Sequence, residues 1–468
     1  MSDPSILDAK VLGWIAGETG GKVVEARLVA SGGRLGYHID VQLEGKLIPL
    51  FLQRGRTLSQ GSFMSPAGEA EVLRALHAVD VKVPRVWGVS EEFNALLTER
   101  LDGEVWFQEP RDAEQRASIA QDFMRQIARW HSVAAQDMKL PSFWPIRSVR
   151  EHQQEQLADI RKSFEAANAV APIDALAWAT LDFLESSIPA YDGPAVLCQG
   201  DTGPGNFIYL DDRVLGVIDW ELAHIGDPMD DIAWLSWRAT QHGFPDFPAC
   251  LREYERLSGI PVDPERVRYY RVNACARLGP WFGLADMGNT AGLYRVGDVD
   301  KPQDNERTAD GSQMIMTMLH RRMRLEALGV ALRLELPSRF VTGEAPPPEH
   351  AAMYDNVLGQ LQILAPGIAD KKASGRVKGI ARKIKYLKEV DRNFRLFEQQ
   401  ELREIGHLLG RDVHSTAAGR PALAQAARDH TVDLKSYFLY QWNRMVRDDH
   451  LMRTASGRMF ERSWPPLA

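Results

Sequence analysis

The passage from Leu197 to Leu235, LCQGDTGPGNFIYLDDRVLGVIDWELAHIGDPMDDIAWL, constrains the fold of this chain more than any other. Asp201 is followed five positions later by Asn206, with glycines and a proline between them. Thirteen residues beyond Asn206, Asp219 follows the apolar run VLGVI. FIYL and VLGVIDW have the composition of two short strands. The spacing predicts a glycine-containing loop, then a hairpin, then a second acidic turn.

Two aspartates and an asparagine at this spacing have the layout of a kinase catalytic loop and its metal-binding aspartate. Transfer from a triphosphate requires its anionic charge to be neutralised, and Mg²⁺ does this through hard oxygen ligands. Asp219 and Asn206 would supply a carboxylate and an amide oxygen, and Asp201 would accept or orient the proton of a substrate hydroxyl. The alternative is a set of turn and cap residues, since Asp, Asn and Gly are common in turns. All three together, between strand patterns, favour a site.

QGDTGPGN and IDWELAHIGDPMDDIAW resemble the aminoglycoside phosphotransferase and choline kinase group. The resemblance is closest to phosphotransferase domains related to those fused to some acyl-CoA dehydrogenases, and it covers about residues 20 to 335. It implies a bilobal protein-kinase-like fold that uses ATP and Mg²⁺ to phosphorylate small hydroxylated molecules. It also implies that Asp201 is the catalytic aspartate and that Asn206 and Asp219 bind the metal.

Four positions near this motif are expected to support its structure. Many members of the group carry His two residues before the catalytic aspartate, where this chain has Gln199. Because Gln both donates and accepts hydrogen bonds, we expect Gln199 to hold the loop as that His does. Loss of activity is the alternative interpretation. The resemblance also implies supporting roles for His131, in IARWHSVAA, and for Asp227 and Asp231.

The first hundred residues offer candidates for contacts with ATP phosphates. Gly32, Gly33 and Gly36 lie between strand patterns in SGGRLGYHI, where glycine would let the backbone approach a phosphate closely. An ordinary turn is the alternative. LLTERLDG, which contains Glu99, resembles the hinge whose backbone groups would meet the adenine.

The resemblance further implies a basic residue on the third strand, paired with a glutamate on the following helix. LFLQRGR offers Arg54 as the basic residue, with Gln53 as the competing alignment, and EAEVLRAL offers Glu69 as the partner. Arg in place of Lys would keep the charge and change its geometry. An ordinary surface ion pair is the alternative.

The distribution of strand and helix patterns predicts an α+β protein with a cleft between lobes. Partly alternating runs predict a β-rich nucleotide-binding lobe over residues 1–103. Helical spacing with a small central β insert predicts a catalytic and substrate lobe over residues 104–336. The stretch TGEAPPPE indicates a linker at residues 337–349, and residues 350–468 are expected to form a C-terminal helical accessory domain.

Composition excludes several other classes of protein. A net charge of −7 argues against a protein that coats nucleic acids. The three cysteines have neither metal-ligand nor disulfide-framework spacing, so we expect reduced thiols and a cytoplasmic location. The N-terminus lacks the apolar region of a signal peptide, and no apolar run reaches the ~18 residues of a spanning helix, so stable membrane insertion is not expected.

Residues 371–388 form a basic amphipathic pattern with no acidic residue. The simplest interpretation is a solvated face, and a site for an acidic partner or a CoA moiety is the alternative. The expected function is ATP- and Mg-dependent phosphorylation of a small hydroxylated metabolite, such as a hydroxy acid or a hydroxyacyl-CoA. A catalytically inactive nucleotide-binding scaffold and an antibiotic O-phosphotransferase remain alternatives, although the polycationic aminoglycosides would need an acidic pocket that the sequence does not show.

Overall fold

A computed structural model describes residues 7–31, 34–55, 64–107, 112–170, 172–277, 311–341, 343 and 345–468. Contacts divide the chain into two compact units. The first comprises Met1–Glu155, Pro189–Tyr270 and Trp464–Ala468, and the second comprises Gln156–Ile188 and Arg271–Ser463. Each unit therefore joins segments that are distant in sequence, and the four-part linear division stays a prediction.

The first unit begins with a helix, α1, followed by a five-stranded antiparallel sheet in the order β1-β2-β3-β5-β4. The bounds are α1 (Ala9–Thr19), β1 (Lys22–Ser31), β2 (Arg34–Leu43), β3 (Lys46–Gly55), β4 (Val86–Ser90) and β5 (Ala95–Glu99). Alternate residues of β2 and β3, among them Tyr37, Ile39 and Leu52, pack in one core with Val11 and Ile15 of α1. The strand-rich N-terminal region is confirmed, whereas α1 was not predicted.

Helices and two small sheets follow. The helices before the small sheets are α2 (Pro66–Ala78), α3 (Ala113–His131), α4 (Val149–Val170) and α5 (Ala175–Ser186). The strands are β6 (Val196–Cys198), β7 (Phe207–Leu210), β8 (Arg213–Val217) and β9 (His224–Gly226), with β6 paired to β9 and β7 paired to β8. The next helices are α6 (Pro228–His242), α7 (Phe247–Ser258) and α8 (Pro264–Arg277). The predicted small β insert among helices is confirmed, and so is the α+β, kinase-like fold class.

Two helix starts matter for the chemistry. The side chain of Ser65 accepts a hydrogen bond from the amide of Gly68, and Pro66 occupies the first turn of α2, so α2 begins three residues before Glu69. Asp227 caps α6 by accepting a hydrogen bond from the Met229 amide at 2.8 Å. These caps fix the helix faces that carry the site residues described below.

The second unit is helical. Besides α5, it contains α9 (Ser312–Ala331), α10 (Ala351–Leu364), α11 (Lys371–Leu409), α12 (Thr416–Arg428) and α13 (Leu434–Ser456). Short 3₁₀ turns occur along the chain at Ala135–Asp137, Pro141–Phe143, Ala365–Gly367 and Gly457–Phe460. Met314, Ile315 and Met318 of α9 form a core with Met452 and Ala455 of α13. The predicted helical C-terminal region is confirmed. In the part of the chain that the structure describes, every helix is too short or too polar to cross a membrane.

Candidate active site

The loop between β6 and β7 brings Asp201 and Asn206 together. The Asn206 Nδ2 atom donates to Oδ2 of Asp201 at 2.8 Å and to the Asp201 main-chain oxygen at 2.7 Å. Within this loop Gly203 has a φ of 144°, and a Cβ atom there would lie 2.5 Å from the Cβ of Arg238. Since no other residue would fit, the loop needs glycine at this point for a steric reason.

Asp219 reaches the same site through the β7–β8 hairpin. The Ile218 amide donates to the main-chain oxygen of Asn206 at 2.9 Å, so Asp219 is one residue beyond a direct contact with Asn206. Asp219 has a φ of 64°, a left-handed conformation that is uncommon for a residue with a side chain. Such conformations cluster at functional sites. The structure therefore brings together the three residues that the sequence spacing singled out.

Carboxylates crowd around Asp219. Burial of its carboxyl group, together with repulsion from Glu221, Asp201 and Glu69, raises the pKa of Asp219 to about 8. Burial also raises the pKa of Glu221, against the opposing charge of Arg34. Four carboxylates therefore share this region with two guanidinium groups. The balance leaves an excess of negative charge.

The donor atoms of this region fit a magnesium ion. Mg²⁺ binds oxygen ligands, and Asp219 offers a carboxylate. Because Nδ2 of Asn206 is engaged with Asp201, the amide oxygen of Asn206 is the atom left to meet a cation. The negative charge that raises the pKa of Asp219 is the charge that a divalent cation would neutralise. The metal-binding roles predicted for Asn206 and Asp219 are compatible with this geometry.

The guanidinium group of Arg238, on α6, contacts both oxygens of the Asp201 carboxylate. Its Nε atom donates to Oδ1 at 2.8 Å, and its Nη2 atom donates to Oδ2. Burial works against the charge of Arg238, but the carboxylates of Asp201 and Asp219 raise the pKa of its guanidinium group. Sequence reasoning did not single out Arg238. Its position two helical turns after Asp231 on α6 is the signal that would have placed it on the site-facing side.

Asp231 holds the start of the loop that carries Asp201 through hydrogen bonds to its backbone. Its carboxylate accepts hydrogen bonds from the amides of Gln199 at 2.9 Å and Gly200 at 3.0 Å, and it lies 3.1 Å from Nε2 of His131. Burial would raise the pKa of Asp231, but the bond with His131 and the backbone bonds lower it to about 2. The Nδ1 atom of His131 lies 2.9 Å from the hydroxyl of Tyr254.

His131, Cys198 and Asp231 lie close enough together to be considered as a metal site. Both imidazole nitrogens of His131 are already engaged, with Asp231 and with Tyr254, so we assign this cluster to support of the loop. The supporting roles expected for His131 and Asp231 agree with these contacts.

Gln199 ties the loop to the hairpin. Its Nε2 atom donates to the main-chain oxygen of Ile218 at 2.7 Å, directly before Asp219. Its Oε1 atom is buried without a hydrogen-bond partner among the described residues. Gln199 thus makes one stabilising contact in the position where many members of the group carry His, as expected of a residue that holds the loop.

A cavity of about 520 Å³ opens beside Asp219 within the first unit. Polar residues that line it include Arg34, Gln53, Glu69 and Glu221, of which Glu69 and Glu221 lie near Asp219. Gly36 lines the same cavity, whereas Gly32 and Gly33 lie outside the described residues, so their contacts with phosphates stay a prediction. Apolar residues that line the cavity include Phe51, Leu73, Pro84, Leu101, Val105, Ile208 and Ile218.

The predicted pairing of Arg54 with Glu69 is wrong. Side chains alternate along β3, and Phe51 and Gln53 line the cavity. Arg54 falls on the opposite face of the strand, the face on which Leu52 enters the core. Glu69 instead pairs with Arg34 at the start of β2.

Residues 98–103, at the end of β5 and beyond it, also line the cavity. The Glu99 side chain accepts a hydrogen bond from the Arg85 amide at 3.3 Å. The hinge role of this segment stays a prediction. Gly103 fits against the Tyr209 main-chain oxygen, where a Cβ atom would approach to 2.5 Å.

A family model described as the phosphotransferase enzyme family matches residues 31–270, just over half of the chain. The chain belongs to this family. The matched residues of this phosphotransferase-family protein include the loop from Asp201 to Asn206, the β7–β8 hairpin and strands β2 to β5.

Two relatives place the family membership in context. The acyl-CoA dehydrogenase IBR3 of Arabidopsis thaliana is 29% identical over 107 residues, which are 22% of this chain and 13% of that protein. The chain therefore matches only a small part of that relative. A crystal structure from Ralstonia eutropha JMP134, described as an aminoglycoside phosphotransferase, has a TM-score of 0.52 and 19% identity, covering 70% of this chain and 99% of that one. That likeness shows a shared fold.

Proposed function

We propose that this protein transfers the γ-phosphoryl group of ATP to a hydroxyl group of a small molecule. The observation that supports it most strongly is the assembly of Asp201, Asn206 and Asp219 through three hydrogen bonds of the loop and hairpin. Membership of a phosphotransferase family supports the same reaction class. The cavity beside Asp219 is lined by apolar residues that suit a base and by charged residues that suit phosphates and their metal.

In the proposed reaction, the acceptor oxygen bonds to the γ-phosphorus as the bond to the β-phosphate oxygen breaks, and ADP leaves. Asp201 receives the hydroxyl proton late in this step. Asn206 and Arg238 hold both oxygens of the Asp201 carboxylate in place, so the carboxylate is positioned before the acceptor binds. Asn206 and Asp219 would hold Mg²⁺, which neutralises charge on the phosphate oxygens.

For the acceptor, we favour a hydroxy acid or a hydroxyacyl-CoA. The partial similarity to an acyl-CoA dehydrogenase supports this class. Phosphorylation of a hydroxyl would also convert a poor leaving group into a good one, which suits a later elimination. The basic segment at the start of α11, where Arg376, Lys378 and Lys385 are exposed, stays a candidate site for an acidic partner or a CoA moiety.

Calorimetry with Mg·ATP on the wild type and on Asp219→Ala tests the site. We expect binding that depends on Mg²⁺ in the wild type and is lost in the variant, because Asp219 would supply a metal ligand. Asp212→Ala is the matched control, since Asp212 is an exposed aspartate on the same hairpin. Equal Mg·ATP affinity in wild type and Asp219→Ala would refute the site assignment.

Release of ADP, followed across a panel of acceptors, tests the substrate class. We expect turnover with hydroxy acids or hydroxyacyl-CoAs and none with sugars, amino alcohols or aminoglycosides. A signal only from aminoglycosides would favour the antibiotic-modifying alternative. Binding of Mg·ATP with no turnover across the whole panel would favour the inactive scaffold.

A further inference from the structure

Arg34 occupies the charged end of the cavity. It is the first residue of β2, and its side chain is 11% exposed. Its Nη1 atom pairs with Oε2 of Glu69, and its Nε atom lies 3.0 Å from Oε2 of Glu221. Its Nη2 atom donates to the main-chain oxygen of Met64 at 2.6 Å. Three contacts from three nitrogens fix the plane of the guanidinium group.

These contacts connect Arg34 with the proposed metal site. Glu221 is two residues beyond Asp219, and its charge contributes to the raised pKa of Asp219. The Trp220 amide donates to Oε1 of Glu69 at 3.4 Å. Both partners of Arg34 are thus bound to, or adjacent to, the turn that carries Asp219.

The third strand supplies no cation to the cavity. At the inner end of β3 the cavity-facing position is Gln53, which is uncharged, and the cross-strand neighbour of Gln53 on β2 is Gly36. Arg54 pairs in register with Leu35, on the other face. A kinase-type cleft places a cation there to meet the α- and β-phosphates and to pair with the helix glutamate. In this chain that glutamate, Glu69, pairs with Arg34 instead.

Other basic groups that line the cavity are held elsewhere. Arg100 donates to Asp40 at 2.8 Å and to Asp102 at 3.1 Å, both outside the metal-site cluster. Burial and the charges of Arg100 and Arg27 lower the pKa of His38, so its imidazole is neutral near pH 7. Among the described residues that line the cavity, this leaves Arg34 as the cation beside Asp219.

We propose that Arg34, from β2, is the residue that binds the α- and β-phosphates of ATP, in the role that kinases give to a third-strand lysine. This inference rests on the function proposed above. A guanidinium group carries five N–H donors, and the three contacts of Arg34 leave at least two for phosphate oxygens. Planar, paired donors suit phosphate well. Glu69 and Glu221 therefore serve as positioning residues for Arg34.

The test compares the affinities of adenosine, ADP and ATP, each with Mg²⁺, by calorimetry. In Arg34→Gln we expect Mg·ATP and Mg·ADP affinity to fall by about 10- to 100-fold, the loss typical of hydrogen bonds to a charged group. Adenosine affinity should stay unchanged, because Arg34 meets only phosphates. Arg54→Gln is the matched control and should bind all three ligands as the wild type does.

A second variant separates a phosphate contact from a structural role. Gln53→Lys added to Arg34→Gln places an amine on the third strand, facing the cavity, and should restore most of the Mg·ATP affinity. In steady-state kinetics, Arg34→Gln should raise KM for ATP more than it lowers kcat. Thermal unfolding of each variant shows whether the fold is retained.

Each outcome decides one question. If Arg34→Gln keeps wild-type Mg·ATP affinity while Asp219→Ala loses it, the role of Arg34 is refuted and the proposed function stands. Equal losses for adenosine and ATP in Arg34→Gln would also refute it, by showing a general distortion of the cavity. If the wild type binds no Mg·ATP, the proposed function fails and the inference fails with it.

Discussion

Two buried carboxylates, Asp219 in the first compact unit and Glu401 in the second, have pKa values that shift in opposite directions. In the first unit, Asp219 lies among three other carboxylates, and its pKa rises to about 8. In the second unit, Glu401 lies between arginines, and its pKa falls to about 2, because the hydrogen bond from Arg420 and the charge of Arg444 outweigh the effect of burial. Both groups are ionisable and protected from water, so the difference comes from their neighbours.

The contrast distinguishes a candidate ligand site from carboxylates that form structural ion pairs. Arg420 pairs with Glu401 at 2.7 Å, Tyr440 donates to the same carboxylate at 2.8 Å, and Arg322 pairs with Asp449 at 2.8 Å. These charges are neutralised inside the protein. Among the described residues around Asp219, carboxylates outnumber guanidinium groups, which is typical of a place where a ligand completes the balance.

The largest expected effect is on stability. Glu401→Gln would leave Arg420 and Arg444 without their carboxylate, which for a buried pair costs about 3 kcal/mol in the free energy of unfolding. Asp219→Asn should leave the free energy of unfolding unchanged or raise it, because it removes a repelled carboxyl group. Urea denaturation measures both, with Glu349→Gln, an exposed position in the second unit, as the control. Equal destabilisation by the two variants would contradict the comparison.

The same contrast predicts how the free energy of unfolding depends on pH. Glu401 has a lowered pKa, so its stabilising contribution is complete above about pH 4.5, the usual pKa of a glutamate, and is lost as pH falls towards 2. The difference in free energy of unfolding between wild type and Glu401→Gln should therefore shrink across that window. A constant difference from pH 6 to pH 3 would show that Glu401 does not titrate as the contacts indicate.

The raised pKa of Asp219 predicts that the affinity for Mg·ATP depends on pH. With a pKa of about 8 it is mostly protonated at pH 7, so Mg·ATP binding should release a proton and strengthen as pH rises to about 8. The expected gain is up to about tenfold per pH unit below 8, for one proton. Calorimetry in buffers of different ionisation enthalpy measures the release. Identical heats in all buffers would contradict it, and Asp212→Ala should behave as the wild type.

Gln199 gives the smallest expected effect. Gln199→Ala removes the bond to Ile218, which we expect to cost about 1 kcal/mol of stability and to lower turnover, because the hairpin would hold Asp219 less firmly. Gln199→His should keep most of the activity, since His can bridge the same groups. Turnover that is the same in Gln199→Ala and the wild type would show that this bond does not support catalysis.

Much of the catalytic loop could be predicted because its signals are local. The spacing of Asp201, Asn206 and Asp219 lies within one loop and one hairpin, although the steric need for Gly203 comes from Arg238 and is seen only in the structure. The helical C-terminal region was also evident from periodicity, whereas the hinge was suggested only by the resemblance of LLTERLDG to the phosphotransferase group and stays a prediction. Helix α1 was missed, although Asp8 caps its start and Gly20 ends it in the left-handed conformation.

Contacts between distant segments could not be predicted in the same way. Arg238 meets Asp201 from 37 residues away, and Arg34 meets Glu69 from 35 residues away. The sequence offered Arg54 for the second pairing because residue type and strand number were the only guides. Pairing between strands and helices depends on which face each side chain takes, and neighbouring residues on a strand take opposite faces.

By itself, the sequence determined that this chain carries a phosphotransferase-type loop, with its acid, its amide and its second acid in order. Local spacing is enough for that, because a short loop and a hairpin leave few other arrangements. The tertiary structure decided which arginine side chains pair with the carboxylates of the site. The pleat of β3 turns Arg54 away from the cavity, and the register of β2 brings Arg34 to Glu69, so the charge comes from a strand that residue type alone does not identify.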